Sequence, residues 1–309
     1  MKQIRVAVCM ATRNRQAGLT RALAGLAKQD LGGCDIAVQM RVIVIDNDGA
    51  GPAAAACDAL RPGYPCPLVY AIEPEPGIVF ARNRALELAK DADFIAFIDD
   101  DEVPAENWLA ELLSVQRLYG ADVVFGAVLK FFPEPVPKWV SEGSLFPVPR
   151  KKTGTVCPYG ATGNVLFSTR ILKEAGFRFN ERFALSGGED YEFFQRANQA
   201  GYLMVWADEA VVTEWIPRSR AKAAWLFKRH FRYGSTTISL TTFHSAAGRA
   251  LAAMIALGRV LVGITCALMF VPLGRRYSVK GLVWAGYGLG LLFGLSGRHF
   301  SEYRTIHTV

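Results

Sequence analysis

Phe94-Ile95-Ala96-Phe97-Ile98-Asp99-Asp100-Asp101-Glu102 is the stretch on which the fold turns. Five apolar residues of strand type run without a break into four acids. A strand can bury residues 94–98. It cannot bury four adjacent carboxylates, which would lose water and repel one another. The acids therefore belong where the strand leaves its sheet, facing water, a cation or both. In an open α/β sheet the carboxyl ends of the strands are where ligands bind. Carboxylate oxygens alone suit a hard divalent cation, Mg²⁺ or Mn²⁺, and such a cation suits a diphosphate.

The chain upstream alternates. Residues 4–10 read as a buried strand that breaks at Ala11-Thr12-Arg13-Asn14-Arg15. Leu19, Leu23 and Leu26 then recur at helical spacing over residues 17–28. A second strand, residues 41–45, runs into Asp46-Asn47-Asp48-Gly49, and a helix over residues 52–60 follows. A third strand covers residues 68–72, and the loop Glu73-Pro74-Glu75-Pro76-Gly77 leads into a helix over residues 78–90. Strand and helix in alternation imply a parallel sheet with right-handed crossovers and helices on both faces. Each strand ends in polar residues, and in a parallel sheet those ends share one edge. A solvated loop explains any one of them. Four on one edge point to a crevice that collects a hydroxyl, an arginine, an aspartate and the acid cluster.

Downstream the pattern predicts a helix over residues 108–118 and a strand over 122–128. Residues 131–158, rich in Pro, Lys and aromatics, read as an irregular loop. A glycine-rich turn enters a strand over residues 160–167. Gly187-Gly188-Glu189-Asp190 opens a helix over residues 191–200. Acids in a first helical turn offset the helix dipole, which is one reading of Glu189 and Asp190. The two glycines support another, because they let backbone approach a ligand and aim the carboxylates. One acid set for a cation and one acid as general base suffice for a one-step displacement.

Composition excludes several classes. The net charge of +7 over 309 residues allows a phosphorylated substrate or an anionic membrane. No zinc-finger, RNA-binding or helix-turn-helix signature is present, so no nucleic-acid partner is expected. Cys9, Cys34, Cys57, Cys66, Cys157 and Cys266 are scattered, without a metal-ligand or disulfide pattern. Met1-Lys2-Gln3-Ile4-Arg5 runs directly into a strand with no signal peptide, which places the bulk of the chain in a reducing cytosol. The first loop lacks G-x-G-x-x-G, and G-x-x-x-x-G-K-[ST] and G-x-S-x-G are absent. His230, His244, His299 and His307 all lie late in the chain, away from the sheet edge.

The apolar excess is local. One run covers residues 250–273, interrupted by Arg259, and a second covers 281–296, with a basic connection over 274–280. A membrane span needs about 20 apolar residues, which the second run lacks and the first reaches only by including Arg259. If both crossed, the basic connection would lie outside, against the positive-inside tendency. The preferred reading is a re-entrant or shallow hairpin; two tilted spans with Arg259 snorkelling are the alternative. Arg218, Arg220, Arg229 and Arg232 form a basic, aromatic-flanked segment before it. It fits a diphosphate or a lipid-linked pyrophosphate, or equally an amphipathic helix on anionic lipid.

In order and spacing these pieces resemble family-2 glycosyltransferases of GT-A fold, and particularly bacterial enzymes of succinoglycan-type exopolysaccharide synthesis. The pieces are Val8-Cys9-Met10-Ala11-Thr12-Arg13-Asn14-Arg15, Val44-Ile45-Asp46-Asn47-Asp48, Gly77 with Ala81-Arg82-Asn83, Phe97 to Glu102, Thr162-Gly163-Asn164 and Gly187-Gly188-Glu189-Asp190. The resemblance covers roughly residues 4–235. It implies a Rossmann-like nucleotide-sugar sheet over residues 1–235 and a membrane-associated helical hairpin within 236–309. It implies that Thr12 and Arg13 line the nucleotide pocket, that Asp46 meets base or ribose, and that Asn83, Asp99 and Asp100 belong to the donor site. Asp99 and Asp101 would form the DXD pair, with Asp101 on Mg²⁺ or Mn²⁺. Asp190 would be the catalytic base and Glu189 its neighbour in orienting donor or acceptor. Glu102 reads as a solvated cap of the next segment. The implied reaction is an inverting transfer from a nucleoside-diphosphate sugar, most often UDP-linked, to a lipid-linked saccharide at the cytoplasmic face of the bacterial inner membrane. Where many relatives carry a histidine after the base helix, this chain has Glu214, either a metal ligand or a surface strand residue. The Q-x-x-R-W motif of processive synthases is absent, which favours single addition. A nucleotidyltransferase and a non-catalytic membrane scaffold remain as rival readings. The first would need a basic glycine-rich first loop, and the second would have no use for Asp99, Asp101 and Asp190.

Overall fold

The computed structural model describes residues 3–34, 36–184, 186–240 and 245–297. Three of the four histidines, His244, His299 and His307, lie outside the described residues, as do Met1, Lys2 and part of the 236–309 region.

Strands and helices alternate first: β1 Gln3–Thr12, α1 Gln16–Leu26, β2 Ala37–Asp46, α2 Ala54–Leu60, β3 Leu68–Ile72, α3 Ile78–Ala89 and β4 Phe94–Ile98. Then come β5 Glu102–Pro104, α4 Trp108–Tyr119, β6 Val123–Phe131, α5 Lys138–Ser141, β7 Asn164–Ser168, α6 Arg170–Ala175, α7 Glu189–Gln199 and β8 Met204–Trp215. Three helices close the described chain: α8 Ala223–Leu240, α9 Ala246–Met269 and α10 Arg275–Leu295. The strands form one sheet in the order β3-β2-β1-β4-β7-β6-β8-β5. The first four are parallel, as the alternation predicts. Past β4 the sheet becomes mixed, because β7 pairs with β4 antiparallel.

Successive strand residues point to opposite faces, and both faces are covered. Ala7, Cys9, Ile43, Ile45, Ile95 and Phe97 pack toward α3 and α7, where Val79, Phe193 and Phe194 meet them. Val6, Val8, Met10, Val42, Val44, Ala96 and Ile98 pack toward α1 and α4, against Leu19, Leu23, Trp108 and Leu112. This is the expected α/β sheet with helices on both faces. Register sets the crevice: Thr12 stands opposite Asp46, and Asp46 opposite Ile72. The carboxyl ends of β1 to β4 therefore share one edge.

Three details differ from the expectations. Glu102 is not a solvated cap. It opens β5, faces Glu214 of β8 across an antiparallel pair and is buried. The three-residue link from β4 to β5, which joins the sheet again at its far edge, carries the acids inward, which sequence alone does not reveal. The basic connection of the hairpin is also shorter than expected: Arg275, Arg276 and Lys280 lie in the first turns of α10. The expected region boundary at 235/236 falls inside α8.

The last three helices stack in a layer. A Cβ at Gly234 of α8 would lie 2.1 Å from the carbonyl of Tyr287, and one at Gly290 of α10 would lie 1.9 Å from that of Phe231. Gly263 of α9 and Gly281 of α10 approach each other's helices too, with a Cβ there 2.5 Å from Ala285 N and 2.4 Å from Ala267 N. Small residues thus bring three backbones together without large side chains between them. The apolar hairpin of the sequence is present, with α10 between α8 and α9.

Candidate active site

Thr12 ends β1, and its hydroxyl donates to Asp100 Oδ2 at 2.8 Å. Arg15, at the start of α1, donates through Nη1 to Asp100 Oδ1 at 2.9 Å and to Asp101 Oδ2 at 3.3 Å. Arg220, in the turn before α8, reaches the same Asp101 oxygen at 2.9 Å and Glu214 Oε1 at 3.3 Å. Lys130 pairs with the other oxygen of Glu214. Glu102 accepts the backbone N–H of Asp99 at 3.1 Å. The acids after β4 are thus mostly buried and held by arginines rather than spread into water. Asp99 alone keeps an open face, with 48% of its side chain exposed.

Two glycines make this crowding possible. A Cβ on Gly18 of α1 would sit 2.6 Å from the carbonyl of Asp100. One on Gly163 would sit 2.8 Å from Glu102 Oε1 and 3.3 Å from Asp99 Oδ2. Asn164, the next residue, donates to the carbonyls of Ala127 and Ala210 and accepts from the Trp108 indole, so it ties three elements together.

Arg82 of α3 joins the second acidic set to the first. It forms an ion pair with Glu189 through Nη1 and lies 3.7 Å from Asp99 Oδ1 through Nη2. Glu189 is buried, while Asp190 beside it is half-buried. Gly187 and Gly188, both with positive φ, shape the turn that presents them. Arg82 carries no role in the sequence reading. Its signal is a charge within the apolar stripe of a helix, between Val79 and Leu86, all three buried.

Six carboxylates (Asp99, Asp100, Asp101, Glu102, Glu214 and Glu189) face four cationic side chains, Arg15, Arg82, Arg220 and Lys130. Fully ionised, the set would carry uncompensated negative charge. Burial accordingly raises Asp100 to about 6, against the pull of Arg15; Asp99, open on its outer face, loses water on its inner side and is raised too, against the pull of Arg82. Glu189 is raised to about 7 by burial, against the pull of Arg82. Glu102 is raised well above the carboxylate range by burial, then by Asp99 and Glu214. The excess charge and the all-oxygen donors fit a hard divalent cation. Among the described residues no three carboxylate, histidine or cysteine side chains form a ready cage.

The remaining sequence-predicted residues divide. Asp46 is fully buried at the edge; its Oδ2 accepts from Ala53 N–H at 2.8 Å and Tyr70 hydroxyl at 3.0 Å, while Oδ1 has no protein partner. Burial raises its pKa despite those bonds. Arg13 lies by Asp48 on the same edge, where Asn14 also bonds Asp48 at 2.9 Å. Thr12 and Asp100 are engaged with each other. Asn83 spends its amide on the Phe179 backbone, donating to the carbonyl and accepting the N–H, both at 2.9 Å. It anchors the segment leading to α7. Glu214 is neither exposed nor free, which corrects its reading as a surface strand residue.

The chain is similar in sequence and fold to known proteins. The family profile described as Glycosyl transferase family 2 matches residues 7–176. The succinoglycan biosynthesis protein ExoM of Rhizobium meliloti (strain 1021) is 34% identical over 300 residues, 94% of this chain and 93% of that protein. The crystal structure of S. aureus TarS 1-349 in complex with UDP is similar in fold, with TM-score 0.55 and 18% identity over 96% of this chain and 93% of that one. The TarS 1-349 complex with UDP-GlcNAc aligns over the same shares with TM-score 0.55 and 16% identity.

Proposed function

The chain belongs to glycosyl transferase family 2, and from that premise we propose an inverting transfer of a sugar from a UDP-sugar to a hydroxyl of a lipid-linked saccharide. One observation carries the site assignment: Arg82 bridges Asp99 and Glu189, so the acid cluster after β4 and the acidic turn before α7 line one crevice. The succinoglycan-related sequence supports the acceptor class, and the UDP and UDP-GlcNAc complexes of TarS support the donor class.

In this reading Asp46, with its unpartnered Oδ1, and Arg13 receive the nucleoside side of the donor. Asp99 and Asp101 would hold Mg²⁺ or Mn²⁺, which supplies charge neutralisation at the departing diphosphate. Arg15 and Arg220 hold Asp101 in place. Asp190 takes the proton of the acceptor hydroxyl while that oxygen attacks the anomeric carbon from the face opposite the diphosphate. The C–O bond to the nucleotide breaks in the same step, so configuration inverts. Glu189, fixed by Arg82, positions the turn that carries Asp190. Residues 1–235 act as the catalytic region and 236–309 as a membrane-associated region, which puts the enzyme at the cytoplasmic face of the bacterial inner membrane.

The test is transfer from UDP-sugars to a lipid extract carrying polyprenyl-linked saccharides, with Asp190→Asn beside the natural chain. Product of inverted configuration, lost in the variant while UDP still binds, is the expected result. Full transfer by Asp190→Asn would remove the base assignment.

A further inference from the structure

The membrane reading above leaves open how the apolar hairpin meets lipid. We infer that α9 lies in the plane of the membrane as its outer layer, and that neither α9 nor α10 spans it. The inference rests on the proposed membrane association and adds its geometry.

Residues 215–301 contain twelve Lys and Arg and no Asp or Glu; Arg220 is spent on Asp101 and Glu214, and the excess of the remaining cations matches an anionic lipid surface. Leu251, Met254, Leu257, Leu261, Leu268 and Met269 are all exposed along α9. Such a continuous apolar face marks a contact surface. What orients it is the packing behind it. The α10 helix runs parallel to α8: Gly286 meets Phe227, Gly290 meets Phe231 and Gly294 meets Ser235. The α8 helix is itself pinned to the sheet domain at two places. Leu226 packs with Leu145 and Val279. Ten residues on, about 15 Å along the axis, Thr236 bonds the Ser186 carbonyl at 3.4 Å and crowds Gly188.

Suppose α10 stood along the membrane normal. At 21 residues it would fill the hydrocarbon core of about 30 Å. Everything level with its middle would lie at the same depth. That includes α8 with Lys228, Arg229 and Arg232, and Leu145 of the sheet domain, which packs with Leu226 and Val283, while the catalytic turn against Thr236 would sit level with the last turn of α10. Ionisable groups there are costly, and the irregular backbone around Leu145 has no place against lipid. With α10 parallel to the surface the conflict disappears. The layers then run from lipid outward as α9, α10, α8 and catalytic turn. Arg259, the charge that interrupts the apolar run, stacks on Tyr287 at 4.6 Å, and Tyr287 reaches Thr237 of α8 at 3.0 Å. Its guanidinium is therefore directed away from the lipid-facing side, toward headgroup level. Two helix layers of about 8–10 Å each would hold the Asp190 turn above the lipid, the height of a headgroup-linked sugar.

The test uses the full chain floated with vesicles of mixed phosphatidylcholine and phosphatidylglycerol. Spin labels are placed through Met254→Cys, Leu261→Cys and Leu268→Cys in a background lacking the partly exposed Cys34, Cys66 and Cys266. Equal, shallow immersion of the three labels is the expected result. A depth gradient of about 21 Å from 254 to 268 would overturn the in-plane geometry while leaving membrane association intact. Failure to float, or a soluble dimer that shields the labels, would overturn the membrane reading itself. Leu257→Glu with Leu261→Glu, at exposed positions, should lower vesicle partition at least tenfold with UDP binding unchanged.

Discussion

The sheet edge and the three-helix layer bury difficult backbone and side chains by opposite means. At the edge, carboxylates are crowded together and held by Arg15, Arg82, Arg220 and Lys130. In the layer no ion pairs of that kind are needed, a charge such as Arg259 stacks on the Tyr287 ring, and Gly234, Gly263, Gly281 and Gly290 let helices touch backbone to backbone. Glycine serves both, but differently. Gly163 makes room for carboxylates, whereas Gly290 makes room for a helix. The first region depends on each charge having its partner and the second on volume, so they should fail in different ways.

The largest expected effect lies at the edge. Asp190→Asn should lower transfer by about 10²–10⁴-fold, the usual contribution of a general base. Binding of UDP, measured by calorimetry, should persist; joint loss of binding and turnover would point to a structural role for the turn. Arg82→Ala leaves Glu189 buried without its partner. Breaking such a pair costs about 3–5 kcal/mol, readable by urea unfolding. Arg82→Ala with Glu189→Gln should recover part of it, and no recovery would mean that Arg82 acts mainly through Asp99.

The layer responds to volume. Gly290→Leu forces atoms into the Phe231 backbone and should cost about 1–3 kcal/mol or more. Gly258→Ala, on the same layer with nothing within 4 Å of its Cβ, should be neutral or stabilising by up to about 1 kcal/mol. Equal effects at the two positions would show that the layer does not pack as described.

The pH response separates the regions again. Burial raises Glu189 from 4.5 to about 7 in the folded chain. A raised carboxyl contributes stability that is fully present below its unfolded pKa and lost as pH rises through the folded one. Thermal stability should therefore fall between about pH 4.5 and 7, by at most about 1.4 kcal/mol per pH unit from this group. Glu189→Gln should flatten that segment of the profile, whereas Gly290→Leu should lower the whole curve without changing its slope.

Much of the fold was legible because its signals are local. Alternating strands and helices, with polar residues after each strand, predict the order of β1 to β4 and the shared edge. The antiparallel insertion of β7 between β4 and β6 was not legible, since pairing between distant segments leaves no periodic trace. Asp99, Asp101 and Asp190 stand out as acids in places where burial alone would not put them. Arg82 and Asn83 are adjacent in sequence, yet one meets Glu189 and Asp99 while the other bonds Phe179 backbone. Helical rotation separates their directions by about 100°, and only the neighbours that fold around them assign the tasks.

Sequence alone determined that an acid cluster ends a buried strand, that a second acidic pair opens a helix after two glycines, and that a tail with two apolar runs follows. Those are properties of consecutive residues and of their periodicity. Tertiary structure decided that Glu102 turns inward, that Arg15, Arg82 and Arg220 hold the acids, and that α8 lies between the catalytic turn and the hairpin. Burial and charge pairing depend on partners up to 119 residues apart, and the chain must close on itself before those partners exist.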